Sequence, residues 1–138
     1  MDLYIGTYRE MSEKDQFEIK GLIIKGNEAN ASLVENRLNS SALTAYFKDG
    51  DSIVATTSIK IPEIYYVNEV FEKALADLNP SKYIFELGYV FVQSPNRNQK
   101  LASILCRELM NKFKNEHFFS TTRTDNLGMK SILNTVLS

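Results

Sequence analysis

The residues best able to do chemistry cluster between positions 83 and 103. Tyr83-Ile84-Phe85-Glu86-Leu87-Gly88-Tyr89-Val90-Phe91-Val92 is the most apolar segment, rich in aromatic and β-branched residues, and reads as a central strand. Ser94-Pro95-Asn96 breaks it, and a helix follows over residues 98–114, with Leu101, Leu105, Leu109 and Phe113 at i, i+4 spacing. A strand that runs into a helix N-terminus presents unpaired amides and the positive end of the helix dipole, a setting suited to phosphate. Arg97, Asn98, Gln99 and Lys100 stand at that entrance, donors of the kind that hold a pyrophosphate. Small Ala102 and Ser103 leave room for a ligand to approach the backbone. The bland reading of the same residues is a solvated helix start. Glu86 is the second candidate. On strict alternation it shares a face with Ile84, Gly88, Val90 and Val92, otherwise apolar or empty, where desolvation would make a carboxylate a better proton acceptor.

The rest of the chain must position these groups. Its 138 residues fit one domain, 1–138, without linker, repeat or low-complexity tract. Sixteen basic side chains against seventeen acidic ones argue against a nucleic-acid binder. One cysteine, Cys106, excludes an internal disulfide and a zinc cluster, so no metal is expected. No apolar run approaches the roughly 20 residues of a membrane span, and residues 1–9 lack the build of a signal peptide. A soluble, cytoplasmic protein is the expectation. A β-prone stretch at 3–8 precedes a helix opened by Ser12, whose hydroxyl can cap the first turn, and Gly26-Asn27 stops that helix. A second helix spans 31–38. Residues 43–47 and 52–61 read as a hairpin joined by Asp49-Gly50-Asp51. Helical spacing of Val70, Phe71, Ala74, Leu75 and Leu78 predicts a helix over 68–78. A strand at 117–122 and a helix at 126–136 complete a mixed α/β chain built around one sheet.

The run from Glu86 to Leu133 resembles the core of the Gcn5-related N-acetyltransferases, the GNAT family. Their signature is a strand ending Val-x-Val, then Arg/Gln-x-x-Gly-x-Gly/Ala opening a helix. Here it reads Val90-Phe91-Val92, then Arg97-Asn98-Gln99-Lys100-Leu101-Ala102. Thr121-Thr122-Arg123-Thr124-Asp125-Asn126-Leu127-Gly128-Met129 is similar to the family's later strand and its Asp-Asn-x-x-Met helix start. The resemblance implies a GNAT-like acyl-CoA N-acyltransferase fold, with acetyl-CoA as co-substrate and a primary amine as acceptor. Val90, Phe91 and Val92 would pair with pantetheine through their backbone. Arg97 and the amides of Asn98, Gln99, Lys100, Leu101 and Ala102 would hold the pyrophosphate. Ser103 would add a hydroxyl, Asn126 would lie near the pantetheine, and Glu86 would act as general base, unless the strand bulge common in the family turns it to the other face.

Three departures from the family pattern stand out. Lys100 replaces the first glycine, Leu133 takes the place of a proton-donating tyrosine, and the chain ends without the family's Gly-Phe and last two strands. That ending reads as a shortened member whose open sheet edge favours a homodimer. The alternative function is a catalytically degenerate protein of this fold that binds CoA or a protein partner. Other groups carry less. Cys106 reads as a buried structural thiol, His117 as a helix-end residue, and Glu10, Glu13 and Asp15 as a solvated helix entrance. Glu28 and Glu35 could receive a cationic amine.

Overall fold

Residues 44–47 and 53–59 are buried without interruption, which requires a sheet covered on both faces, and the described residues build one from five strands. The computed structural model describes residues 1–27, 31–97 and 99–121. Strand β1 (Asp2–Gly6) is followed by a 3-10 turn (Tyr8–Glu10), helices α1 (Glu13–Asn27) and α2 (Ala31–Asn39), and the hairpin β2 (Leu43–Asp49) and β3 (Ser52–Lys60). Helix α3 (Ile64–Lys73), strand β4 (Phe85–Val92), helix α4 (Leu101–Asn111) and strand β5 (Phe118–Phe119) complete it. The strand order is β1-β2-β3-β4-β5. All neighbours are antiparallel except β4 and β5, which run parallel. No described helix is long and apolar enough to cross a membrane.

One sheet face is covered by α4, whose Leu101, Leu105, Cys106 and Leu109 pack on Ala45, Phe47, Ala55, Ile59 and Leu87. Each fully buried leucine there contributes about 1.5–3 kcal/mol of hydrophobic free energy. The opposite face is covered by α1 and α2, through Ile19, Leu22, Ile23, Val34 and Leu38 against Tyr46 and Ile53. Helix α3 adds a smaller cluster in which Val67 and Phe71 meet Phe119 of β5. Gly26 brings α1 onto the ring of Phe91; a Cβ at that position would collide with the ring.

Local chemistry explains most boundaries. The Ser12 hydroxyl accepts the Asp15 amide at 3.2 Å, the expected cap of α1. Gly50 takes φ +63° in the hairpin turn. Helix α3 differs from the predicted 68–78 span: it starts at Ile64, directly after Pro62-Glu63, and ends at Lys73. Its end is a Schellman turn, with Ala76 N–H donating to Phe71 O and Leu75 N–H to Glu72 O. Leu75 holds the left-handed position, φ 53°, and is 91% exposed, so neither it nor exposed Leu78 is the inward residue its spacing suggested. The inward pair is Val67 and Phe71. Strand β1 is shorter than the predicted 3–8, because Tyr8 leaves the sheet for a buried 3-10 turn. Helix α4 opens three residues later than predicted, since Lys100 at φ 60° cannot be helical. The predicted helix at 126–136 and residue 122 of the last predicted strand lie outside the described residues.

Cys106 is the buried structural thiol expected, 3.9 Å from the Thr57 hydroxyl. Burial pushes it up from 9.0 to about 11, with the Thr57 contact opposing. A thiol raised on folding adds stability that is fully present below its unfolded value and is lost as pH rises through the folded one. Thiol labelling at about pH 8 should therefore be slow until denaturant is added. The urea midpoint should fall as pH rises from 9.0 to about 11, and Cys106→Ala should remove that part of the fall.

Candidate functional site

The site is organised by a break in the β3–β4 ladder. Lys60 pairs with Glu86, Ile59 with Leu87 and Ser58 with Gly88, and the register resumes at Thr56 with Phe91 and Ala55 with Val92. Two residues, Tyr89 and Val90, thus stand opposite Thr57, which makes a β-bulge with Tyr89 at φ 52°. The Thr57 hydroxyl donates to Gly88 O at 3.2 Å. The bulge corrects the alternation expected along this strand. Glu86, Gly88 and Phe91 face as Lys60, Ser58 and Thr56 do, whereas Val90 and Val92 pack into the α4 side. Tyr89 and Phe91 pack with the α1–α2 layer.

On its other edge, β4 pairs with β5 only at Phe85↔Phe118 and Glu86↔Phe119. The Ser120 hydroxyl then donates to Leu87 O at 2.8 Å. Among the described residues no strand pairs with that edge from Tyr89 to Val92. The edge leads directly into the loop that precedes α4. Gln93 N–H donates to Val54 O at 2.8 Å, Ser94–Asn96 forms a 3-10 turn, and Arg97 Nε donates to Val92 O at 3.2 Å. Arg97, Gln99 and Lys100 are exposed; Leu101 and Ala102 are buried, and Ser103 is half-buried. Lys100 takes φ 60° and caps α4, so the chain keeps the backbone conformation that a glycine would adopt. That conformation costs a non-glycine residue about 1–2 kcal/mol. Asn98 and Asn126 lie outside the described residues, as do Thr122 and Leu133.

Glu86 is buried, 3% exposed, but its surroundings are not apolar. Lys60 Nζ lies 3.2 Å from Oε1, and the Tyr66 hydroxyl donates to Oε2 at 3.2 Å. Desolvation, then the Glu86 charge and its hydrogen bond, push the Tyr66 phenol up, while a Thr121 hydrogen bond and then the Arg37 charge act in the opposite direction. Lys60 reaches across Gly88, where a Cβ would meet its Cε at 2.9 Å, and its Nζ stands 4.5 Å from the Tyr89 ring centroid. Among the described residues the buried Tyr89 hydroxyl has no hydrogen-bond partner. Lys60 and Tyr66 escaped sequence reasoning as site residues. Lys60 becomes visible only when the register sets it opposite Glu86, and Tyr66 only when α3 is known to start before residue 68.

Other candidates are used elsewhere. Glu35 accepts the Tyr8 hydroxyl at 2.8 Å and pairs with Lys20 at 3.5 Å, so it does not wait for an amine. Glu28 lies outside the described residues. Asp15 is buried, not solvated: Lys48 pairs with it at 2.9 Å and Tyr46 donates to it at 3.2 Å, and burial with that carboxylate pushes Tyr46 up to about 12. His117 is exposed beside the Tyr83 ring. Among the described residues no group of three His, Cys, Asp or Glu side chains could hold a metal.

No family model matches the chain, and no curated protein sequence matches it. Solved structures do. An aminoglycoside N-acetyltransferase in complex with CoA superposes with TM-score 0.68 at 14% identity, covering 98% of this chain and 89% of that one. A GNAT-family acetyltransferase from Streptococcus pneumoniae gives 0.66 at 12% identity, over 97% and 84% of the two chains. A ribosomal-protein-alanine N-acetyltransferase from Brucella melitensis biovar Abortus gives 0.62 at 12%, over 98% and 89%. The chain has the fold of the GNAT acetyltransferases.

The Lys60–Glu86 pair is testable as an electrostatic unit. Lys60→Met strands a buried carboxylate and should cost about 3–5 kcal/mol, whereas Lys60→Met with Glu86→Leu should recover most of that loss. Urea unfolding of the three proteins measures both.

Proposed function

We propose that the protein is an acetyl-CoA-dependent N-acetyltransferase acting on a primary amine. One observation carries the reading: the β4 edge beyond the bulge, unpaired among the described residues, runs straight into the N-terminus of α4, with Arg97 and Lys100 beside it. That combination suits a ligand that is strand-like at one end and anionic at the other. Pantetheine and pyrophosphate have that chemistry, and the fold is one in which a neighbour is solved with CoA. The residues present fit the co-substrate. The first-turn amides of α4 have no intrahelical partners and point toward the loop. Leu101 and Ala102 are turned into the core and leave that backbone bare, and the Lys100 ammonium adds charge where a glycine would add none.

In this reading Val90, Phe91 and Val92 offer backbone groups to the pantetheine. Arg97, Asn98, Gln99, Lys100, Leu101, Ala102 and Ser103 surround the pyrophosphate, and Asn126 lies along the pantetheine. The acceptor amine attacks the acetyl carbon directly, with no acyl-enzyme intermediate. Glu86 takes the ammonium proton, held in place by Tyr66. Lys60 occupies the carboxylate's other oxygen and is the group an incoming ammonium displaces. The departing thiolate takes its proton from solvent.

The same Lys60 contact favours a second reading: with both Glu86 oxygens engaged, the protein binds CoA without catalysing transfer. Calorimetric titration with acetyl-CoA, CoA and ATP, followed by an amine screen, separates the two. Micromolar binding selective for the CoA species supports both readings, and amine-dependent thiol release supports the enzyme alone. No binding by the folded protein removes the site assignment. Arg97→Ala should weaken CoA binding by about 1–3 kcal/mol. Glu86→Gln should leave CoA affinity nearly unchanged and lower turnover by roughly 10²–10⁴-fold, a loss read from steady-state rates.

A further inference from the structure

Lys60 has a placement that compensation of a buried charge does not require. As the last residue of β3 it stands directly opposite Glu86 in the register, and a lysine there could extend outward to solvent. Instead its chain turns along β4, crosses Gly88 at van der Waals distance, and sets its ammonium 4.5 Å from the Tyr89 ring centroid at the bulge. Gly88 makes this path available, because a side chain there would collide with Lys60 Cε at 2.9 Å. The side chain is 18% exposed, so the amine is held but not sealed. A primary amine thus lies 3.2 Å from a carboxylate that can take its proton.

The next step rests on the acetyltransferase reading. With pyrophosphate at the α4 entrance and pantetheine running back along residues 92 to 90, the thioester would fall near Gly88 and Tyr89. The Lys60 side chain crosses this same stretch of β4 from the β3 side, over Gly88 and with its ammonium 4.5 Å from the Tyr89 ring centroid. We infer that Lys60 is itself an acetyl acceptor: in the absence of an external amine, the protein transfers one acetyl group from acetyl-CoA to Lys60 Nζ. Glu86 takes a proton from the ammonium, and the neutral nitrogen attacks the acetyl carbon. The new bond is Nζ–C and the bond broken is C–S. CoA leaves as thiolate and is protonated by solvent, so the net products are Nε-acetyl-lysine, CoA thiol and one proton. The resulting amide N–H still donates to Glu86, and the reaction stops after one turnover. External amines compete with it, because they need the same carboxylate oxygen.

The test needs no knowledge of the natural acceptor. The full chain is incubated with isotopically labelled acetyl-CoA, and acetylated peptides are quantified over time by mass spectrometry. Exposed Lys112 and Lys114 report background chemical acylation. Fixed proximity predicts labelling of Lys60 about tenfold or more above those lysines, reaching one equivalent and then stopping. Lys60→Arg keeps the charge beside Glu86 and should abolish the specific label, and Glu86→Gln should slow it. CoA titration of the same preparation separates two failures. No CoA binding overturns the acetyltransferase reading and this inference with it. CoA binding with label spread evenly over the lysines overturns the inference alone.

Discussion

A carboxylate placed at the middle of a sheet obliges its surroundings to provide a counter-charge, and much of this structure answers that demand for Glu86. Desolvation of a lone carboxylate costs several kcal/mol, so the position survives only with partners on both oxygens. Lys60 comes from the neighbouring strand by register, and Tyr66 comes from α3, a helix inserted between the hairpin and the central strand. Helix α3 is held by Phe71 against Phe119 and Tyr83. The short β5 ladder ends at Glu86↔Phe119, so the same residue pair anchors the helix, the charge and the point where strand pairing stops among the described residues.

The second organising element is the bulge. It costs one ladder position and a left-handed tyrosine, and it turns Val90 and Val92 toward α4 while leaving their edge unpaired among the described residues. Without it, alternation would carry the valines to the face of Glu86. Positive-φ residues recur at Leu75, Tyr89 and Lys100, none of them glycine. Each sits where an element must end or change face, and each costs on the order of 1 kcal/mol that packing nearby must offset.

Much of this was legible in the residues themselves. Hydrophobic spacing located α1, α2, α4, the hairpin and the central strand, because each carries its period and its stop signal locally: Ser12, Gly50, Pro95. Helix α3 was misplaced because Leu75 and Leu78 continue the apolar period beyond a Schellman turn that no glycine announces. The face of the β4 valines was misassigned because a bulge leaves no mark in a run of apolar residues. Glu86 and the Arg97–Ala102 loop could be singled out from residue type and position. Lys60 and Tyr66 could not, since their relation to Glu86 exists only through strand register and through the true start of α3.

Gly26 and Phe91 set a dimension of the molecule. Where they meet, α1 and β4 are separated by one aromatic ring lying against bare helix backbone. Most helix–sheet contacts interpose two interdigitated side chains and can adjust by rotamer changes in either. Here only one partner can move, so any group added at residue 26 acts as a shim under α1. The strand that carries the free edge is thereby tied in height to the first helix at the point where the Phe91 ring meets residue 26.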